Sequence, residues 1–389
     1  MSTSAKIKVL VIDDSALVRK AITDALSLDP EIEVVGSAND PLVAQEKMPR
    51  LQPDVLTLDM EMPRMDGLTF LKILQKQQPM IPVVVVSSLT QQGSAMALAA
   101  MDAGARDVLA KPDGSMSIGG LANKLAFHVK AAARARRSTA APLQPLLPPK
   151  PAPAPLGTSS PLRSAPDQAS SSSWGRPAAS GLPAKPGMST TAAAPLADKR
   201  LIVIGSSTGG VEALRFLLPS LPATMPPIAV TQHIPPFFSK AVANRINEMC
   251  GYEVHEAIDN EELKPGMCVI APGDFHLTIM RSATGYRTRL TQTPPVHYCR
   301  PAVDVLFRSA AEAAGARLTG VLLTGMGSDG AIGMKAIKAA GGQTLAEHES
   351  SCVVYGMPRA AVQLGVVDQV VPLEQMPAAI IRAIGGVPA

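Results

Sequence analysis

The feature that most constrains the fold is a rhythm in the first third of the chain. Short β-type apolar runs, "KVLVI", "EVVGSA", "DVLTL", "PVVVVS" and "DVLA", alternate with helix-like segments that begin near Ser15, Asp40, Gly67, Gln92 and Gly119. Near-continuous apolar runs, unlike alternating ones, suit strands buried on both faces, as in a parallel sheet covered by its own crossover helices. Five such repeats predict one five-stranded parallel α/β domain.

The rhythm breaks from about Ala140 to Ala197, where Pro, Ala and Ser dominate, as in "PLLPPKPAPAPLG" and "ASSSSWG". Few side chains there can be buried, so an extended or disordered tether is expected. Trp174 stands alone in it and reads as a chance residue, because one aromatic makes no core. The rhythm resumes with "RLIVIG", "PIAVTQ", "MCVIAP", "TGVLLTG" and "GQTLAE". "HLTIMR" and "YRTRLTQ", split by "SATG", predict one antiparallel hairpin. The expected division is 1–135, a linker over 136–198, and a doubly wound, mostly parallel α/β domain over 199–389.

Bulk properties exclude several function classes. A formal charge of +4 over 389 residues, with no long basic stripe, argues against a nucleic-acid partner. The basic run Lys130–Arg137 reads as a solvated helix end. Cys250, Cys268, Cys299 and Cys352 are far apart and form no Cys-x-x-Cys pair, which suits a reducing compartment. The N-terminus lacks signal-peptide architecture. No apolar stretch reaches roughly 18 residues, so a cytoplasmic protein is expected.

Ligands of open α/β sheets gather beyond the carboxyl ends of the strands. In the first domain those ends carry Asp13 and Asp14, Asp59, Ser87 and Ser88, and Lys111 followed by Pro112. Mutually repelling carboxylates are relieved by a hard cation such as Mg²⁺, and a carboxylate facing a lysine and a hydroxyl is equipped to accept a phosphoryl group. "VLVIDDSALVRK", "DVLTLDMEMPRMDGLTFL", "VVVVSS" and "AKP" resemble a response-regulator receiver domain over residues 6–130. That resemblance implies a flavodoxin-like fold and makes Asp59 the phospho-acceptor. Asp13, Asp14 and Asp59 would hold Mg²⁺ with help from the Glu61 carbonyl, and Ser87 and Lys111 would contact the phosphoryl group.

In the second domain "GSSTGG" follows a strand and precedes a helix. It lacks the P-loop lysine and the Gly-x-Gly-x-x-Gly spacing, so a phosphate cradle is the poorer reading. A nucleophile mount is the better one, since a serine at a Gly-flanked strand-to-helix turn is presented beside helix N–H groups. Its base is expected to be His233, directly after the next strand; His276 is the rival, while His128, His255, His297 and His348 are less cleanly placed. Asp329, in the Gly-rich turn of "TGVLLTGMGSDGAIGM", is the expected orienting carboxylate; the rival Asp274 is expected to pair with the His276 loop.

"VIGSSTGGVEAL", "VTQHIPPFF", "APGDFHL", "RPAVDVLFRSAA" and "LLTGMGSDGAIGM" resemble the catalytic domain of the chemotaxis protein-glutamate methylesterase / protein-glutamine glutaminase family, from about Lys199 onward. By that resemblance Ser207 is the nucleophile, His233 the base and Asp329 its orienter. The Met326 N–H would be an oxyanion donor, and Thr208 would line the site. Substrates would be methyl-accepting chemoreceptors and the phosphodonor a chemotaxis histidine kinase. A monomer is implied, with membranes reached only through receptors and no cofactor needed for hydrolysis. Ser206 stands where alanine is expected, leaving two adjacent serines as candidates, and Ala302 stands where serine is expected. Competing readings are a DNA-binding output, a hydrolase of another class acting on a small ester or using a Cys299/His297 pair, and an inactive adaptor.

Overall fold

The computed structural model describes residues 6–77, 81–87, 91–111, 118–137, 199–236 and 238–385. The expected tether with Trp174, and also Ser88 and Pro112, lie outside the described residues.

The strands β1 (Ile7–Ile12), β2 (Ile32–Ala38), β3 (Val55–Asp59), β4 (Val83–Ser87) and β5 (Asp107–Ala110) alternate with α1 (Ala16–Ser27), α2 (Pro41–Leu51), α3 (Gly67–Gln77), α4 (Gln91–Asp102) and α5 (Ile118–Arg137). The strands form one parallel sheet in the order β2-β1-β3-β4-β5. Helices α1 and α2 start where the sequence suggests because side chains cap them. Ser15 accepts the Val18 N–H, and Asp40 accepts the N–H groups of Leu42 and Val43. The chain reverses direction across the sheet between β1 and β3, which brings the residues after Ile12 beside Asp59.

The second domain opens with β6 (Leu201–Ser206), α6 (Gly210–Leu217), β7 (Ile228–Gln232), α7 (Phe238–Asn247), β8 (Glu253–Glu256), β9 (Glu262–Leu263) and β10 (Met267–Ile270). It continues with β11 (His276–Arg281), β12 (Tyr286–Thr291), α8 (Val303–Ala314), β13 (Leu318–Leu322), α9 (Ala331–Ala339), β14 (Gln343–Glu347), α10 (Met357–Gln363), β15 (Gln369–Val371) and α11 (Met376–Ala383). Seven strands form a parallel sheet in the order β15-β14-β13-β6-β7-β10-β8.

The expected hairpin of β11 and β12 is present and is widened by β9 into a three-stranded antiparallel sheet. β8, β9 and β15 carry no readable apolar run. β8 and β15 are edge strands with half-exposed polar positions, and β9 has only two residues. β6 lies between β13 and β7, so the loops after these three strands open onto one edge of the sheet.

The two α/β domains share buried apolar surface. Ala97, Ala100 and Met101 of α4 belong to the same buried cluster as Phe238, Val242 and Ala243 of α7. No helix among the described residues is long and apolar enough to cross a membrane.

Candidate functional sites

The "GSSTGG" turn separates its two serines by strand geometry. Successive side chains on a strand point to opposite faces. Ser206 is fully buried and its hydroxyl donates to Gln232 Oε1 at 2.6 Å. Ser207 turns the other way, and its Oγ lies 3.1 Å from His233 Nδ1. Gly209 follows at φ +79°, a left-handed conformation that opens α6 and that a side chain would strain. A Cβ at Gly325 would stand 2.7 Å from the Ser207 Cβ, so the backbone leading into Met326 packs directly on the nucleophile candidate.

His233 completes a chain of contacts. Its Nε2 lies 2.7 Å from Asp329 Oδ2. An ionised carboxylate only accepts, so in the neutral ring Nε2 carries the proton and Nδ1 can accept from the Ser207 hydroxyl. Asp329 is buried and collects further donors: the Val303 N–H at 2.7 Å, and the Asp304 and Gly330 N–H groups at 2.9 Å. Two of these open α8, so the carboxylate also caps that helix at its positive end. Burial opposes ionisation of Asp329, but the His233 ring and these amides outweigh it and hold the carboxyl below its ordinary range. For His233, burial favours the neutral ring, while the Cys299 sulfur and Asp329 favour the imidazolium; the net direction is upward.

One further residue, Gln232, holds this arrangement. Gln232 Nε2 donates to the carbonyls of Ser207 at 2.9 Å and His233 at 3.0 Å while its Oε1 takes the Ser206 hydroxyl. One buried amide thus ties both loops together. Its position immediately before His233 was the available signal.

The Cys299 Sγ lies 3.6 Å from His233 Nδ1, whereas His297 Nε2 lies 3.0 Å from Asp304 Oδ2. The two side chains of the competing Cys299/His297 reading therefore engage different partners. The expectation for Asp274 is also corrected. It pairs with Arg300 at 2.6 Å, while His276 is fully buried against the Pro294 carbonyl and the Ala302 N–H. Arg300 is the nearer charge, and His276 is occupied by backbone groups.

At the end of the other sheet, Asp13 and Asp59 are buried and Asp14 is exposed. Carboxylate oxygens of all three lie within 4.8 Å of one another, a hard-oxygen donor set that fits Mg²⁺. Lys111 Nζ reaches Asp59 Oδ2 at 2.6 Å and Asp13 Oδ2 at 3.3 Å. Burial pushes the Asp59 carboxyl up, with Lys111 opposing and Asp13 adding to the rise. The Glu61 N–H donates to Asp59 Oδ1 at 3.3 Å. Ser87 is buried at the end of β4, and its carbonyl accepts the Lys111 N–H at 2.8 Å.

A family model described as CheB methylesterase matches residues 202–380, and one described as response regulator receiver domain matches residues 9–118. The protein-glutamate methylesterase/protein-glutamine glutaminase 2 of Syntrophus aciditrophicus is 44% identical over 383 residues, covering 98% of this chain and 100% of its own length. The chain belongs to the CheB methylesterase family. The Chromohalobacter salexigens relative is 43% identical over 382 residues, 98% of this chain and 97% of its own. Among solved structures, the CheB methylesterase catalytic domain of Thermotoga maritima is 41% identical, covers 47% of this chain and 97% of that one, and has a TM-score of 0.46.

In this CheB-family chain the receiver side touches the edge of the esterase site. The Thr208 hydroxyl, next to Ser207, donates to Asp107 Oδ2 at 3.1 Å, and His128 Nδ1 lies 2.7 Å from the same oxygen. Arg215 of α6 binds Asp102 of α4 and also Glu212 at 3.0 Å. Thr208, expected to line the site, is buried, and its hydroxyl faces Asp107 of the first domain. Asp107 and His128 were not legible as partners, because the pairing spans the tether and depends on how the two domains pack.

Proposed function

We propose that this chain hydrolyses γ-glutamyl methyl esters on chemoreceptors, releasing methanol, and deamidates receptor glutamines, under the control of receiver phosphorylation. The observation that carries the reading is the continuous Ser207–His233–Asp329 chain, with steps of 3.1 and 2.7 Å. His233 Nδ1 takes the Ser207 proton as Oγ attacks the ester carbonyl, and the Met326 N–H faces the developing oxyanion. The proton then passes from Nδ1 to the methoxy oxygen, and methanol leaves. Water attacks the acyl-serine, returning its proton through Nδ1 to Ser207 and freeing the glutamate. With an amide the leaving group is ammonia. The reading divides the chain into a receiver, a linker and an esterase at 1–135, 136–198 and 199–389, working in the cytoplasm.

On the receiver side, Asp59 accepts the phosphoryl group from a histidine kinase, and Lys111 and Ser87 bind its oxygens. Asp13, Asp14 and Asp59 would hold Mg²⁺, which when bound supplies charge neutralisation for the transfer. Lys111 directly follows β5, the strand that begins at Asp107. A rearrangement at Asp59 thus acts on the strand whose other end bonds Thr208.

The test is methanol release from methylated receptor membranes with and without a small phosphodonor. Stimulation by the phosphodonor supports the reading, and no methanol under either condition overturns it. Asp59→Asn is expected to abolish the stimulation and keep the basal rate. Asp107→Ala removes the acceptor that holds Thr208, so its unphosphorylated rate is expected to rise several-fold, on the order of one hydrogen bond to a charged group. The phosphodonor should then add little; an unchanged basal rate would show that this contact restrains nothing.

A further inference from the structure

Glu347 ends β14 and takes no part in the proton relay, yet it lies directly beneath it. Its side chain is completely buried. Oε2 accepts the Thr324 N–H at 2.8 Å, while Oε1 is buried without a hydrogen-bond partner among the described residues. No cationic side chain pairs with it among the described residues. Thr324 is the junction of the site. Its carbonyl accepts the Ser207 N–H at 3.0 Å, and its hydroxyl donates to the Thr208 carbonyl at 3.0 Å and accepts the Val354 N–H at 2.9 Å. Gly325 and Met326 follow it immediately.

A buried carboxylate without a counter-charge is costly, so such a group sheds its charge. Burial pushes Glu347 up to about 7; the Thr324 amide, Ser351 and Cys352 oppose the rise, and Glu374 adds to it. These groups face it from the end of β13, the loop after β14 and the turn before α11.

We propose that Glu347 is a positioning residue of the esterase, a neutral acid that holds Thr324 and through it the Ser207 turn and the Met326 oxyanion strand. The inference rests on the roles given above to Ser207 and Met326. Ionisation puts a charge at Oε1 with no hydrogen bond in place there, so the Ser351 hydroxyl or Cys352 thiol must swing toward it, water must enter or the side chain must withdraw, and each loosens the packing around Thr324. Glutamine matches the neutral acid in shape and keeps an acceptor for the Thr324 N–H.

The experiment compares the unaltered full-length chain with Glu347→Gln and Glu347→Ala between about pH 6 and 9. One readout is the rate at which a fluorophosphonate probe phosphonylates Ser207, which needs no receptor. The others are kcat and KM for methanol release, and the thermal unfolding midpoint. The His233 relay is common to every variant, so the ratio of the Glu347→Gln rate to the unaltered rate isolates Glu347. That ratio is expected to start near one at acid pH and rise several-fold above neutrality, in kcat and not in KM.

The unaltered chain should also lose thermal stability as pH rises toward about 7, where its folded carboxyl still holds a proton the unfolded one has released, with no further loss from this group above that; Glu347→Gln should lose less. Glu347→Ala is expected to be slower at every pH, on the order of 10-fold. A ratio that stays flat with pH, or Glu347→Gln as slow as Glu347→Ala, overturns the proposal. If phosphonylation follows the expected pattern while no variant releases methanol, the positioning role stands and the receptor-ester reading fails.

Discussion

Ser207→Ala is expected to abolish methanol release, with turnover falling at least about 10³–10⁴-fold, whereas Ser206→Ala keeps most of it. The difference follows from which way each hydroxyl points. Ser207 Oγ is within 3.1 Å of the base, and removing it takes away the hydroxyl that His233 deprotonates. Ser206 Oγ is committed to Gln232 at 2.6 Å on the opposite face and has no path to the ring. Its loss leaves a buried amide oxygen short of one donor, a destabilisation of about 1–3 kcal/mol. Ser206→Ala should therefore show a lower unfolding midpoint and nearly normal turnover. Methanol release measured on both variants decides the matter, and the opposite pattern would move the nucleophile by one position.

The second large effect is expected at Asp329. Asp329→Asn should reduce turnover by on the order of 10⁴-fold with the fold retained. Four N–H donors, from His233, Val303, Asp304 and Gly330, converge on the two carboxylate oxygens. An amide offers one oxygen and sets an NH₂ group against donors where the second stood. It either turns that NH₂ toward His233, forcing the proton onto Nδ1 where Ser207 needs an acceptor, or leaves the start of α8 uncapped. The negative charge that stabilises the imidazolium is lost in both cases.

The stability cost is expected to be about 3 kcal/mol near neutral pH, read from denaturant unfolding. Its pH dependence has a definite sign. The folded pKa of Asp329 is depressed, so its contribution is present above the unfolded carboxyl value and disappears as pH falls through the folded one. The gap between the variant and the unaltered chain should narrow in acid. A variant with normal turnover would show that His233 needs no carboxylate partner.

The chemistry was legible where it sits at strand ends. Asp13, Asp14, Asp59 and Lys111 follow apolar runs, as do Ser207, His233 and Asp329, and parallel strands deliver such ends to one edge. The supporting residues were illegible for a common reason. Gln232, Thr324 and Glu347 act by donating or accepting single hydrogen bonds below the site, and no spacing announces such a bond. β8 and β15 carry no legible signal because an edge strand needs little apolar surface. Closeness along the chain favours the His276 loop for Asp274, but Arg300 takes it because opposite charge is the stronger claim.

The sequence by itself determined two parallel α/β sheets, the strand ends that carry reactive groups, and the residue types that meet there. Those follow from the burial of apolar runs and from side-chain chemistry, both local properties of the chain. Only the tertiary structure decided which of two neighbouring serines faces the imidazole, that Asp107 reaches Thr208 from the other domain, and that Glu347 is sealed away without a counter-charge. Those depend on strand register and on how two surfaces distant in the chain pack, and a one-dimensional pattern encodes neither.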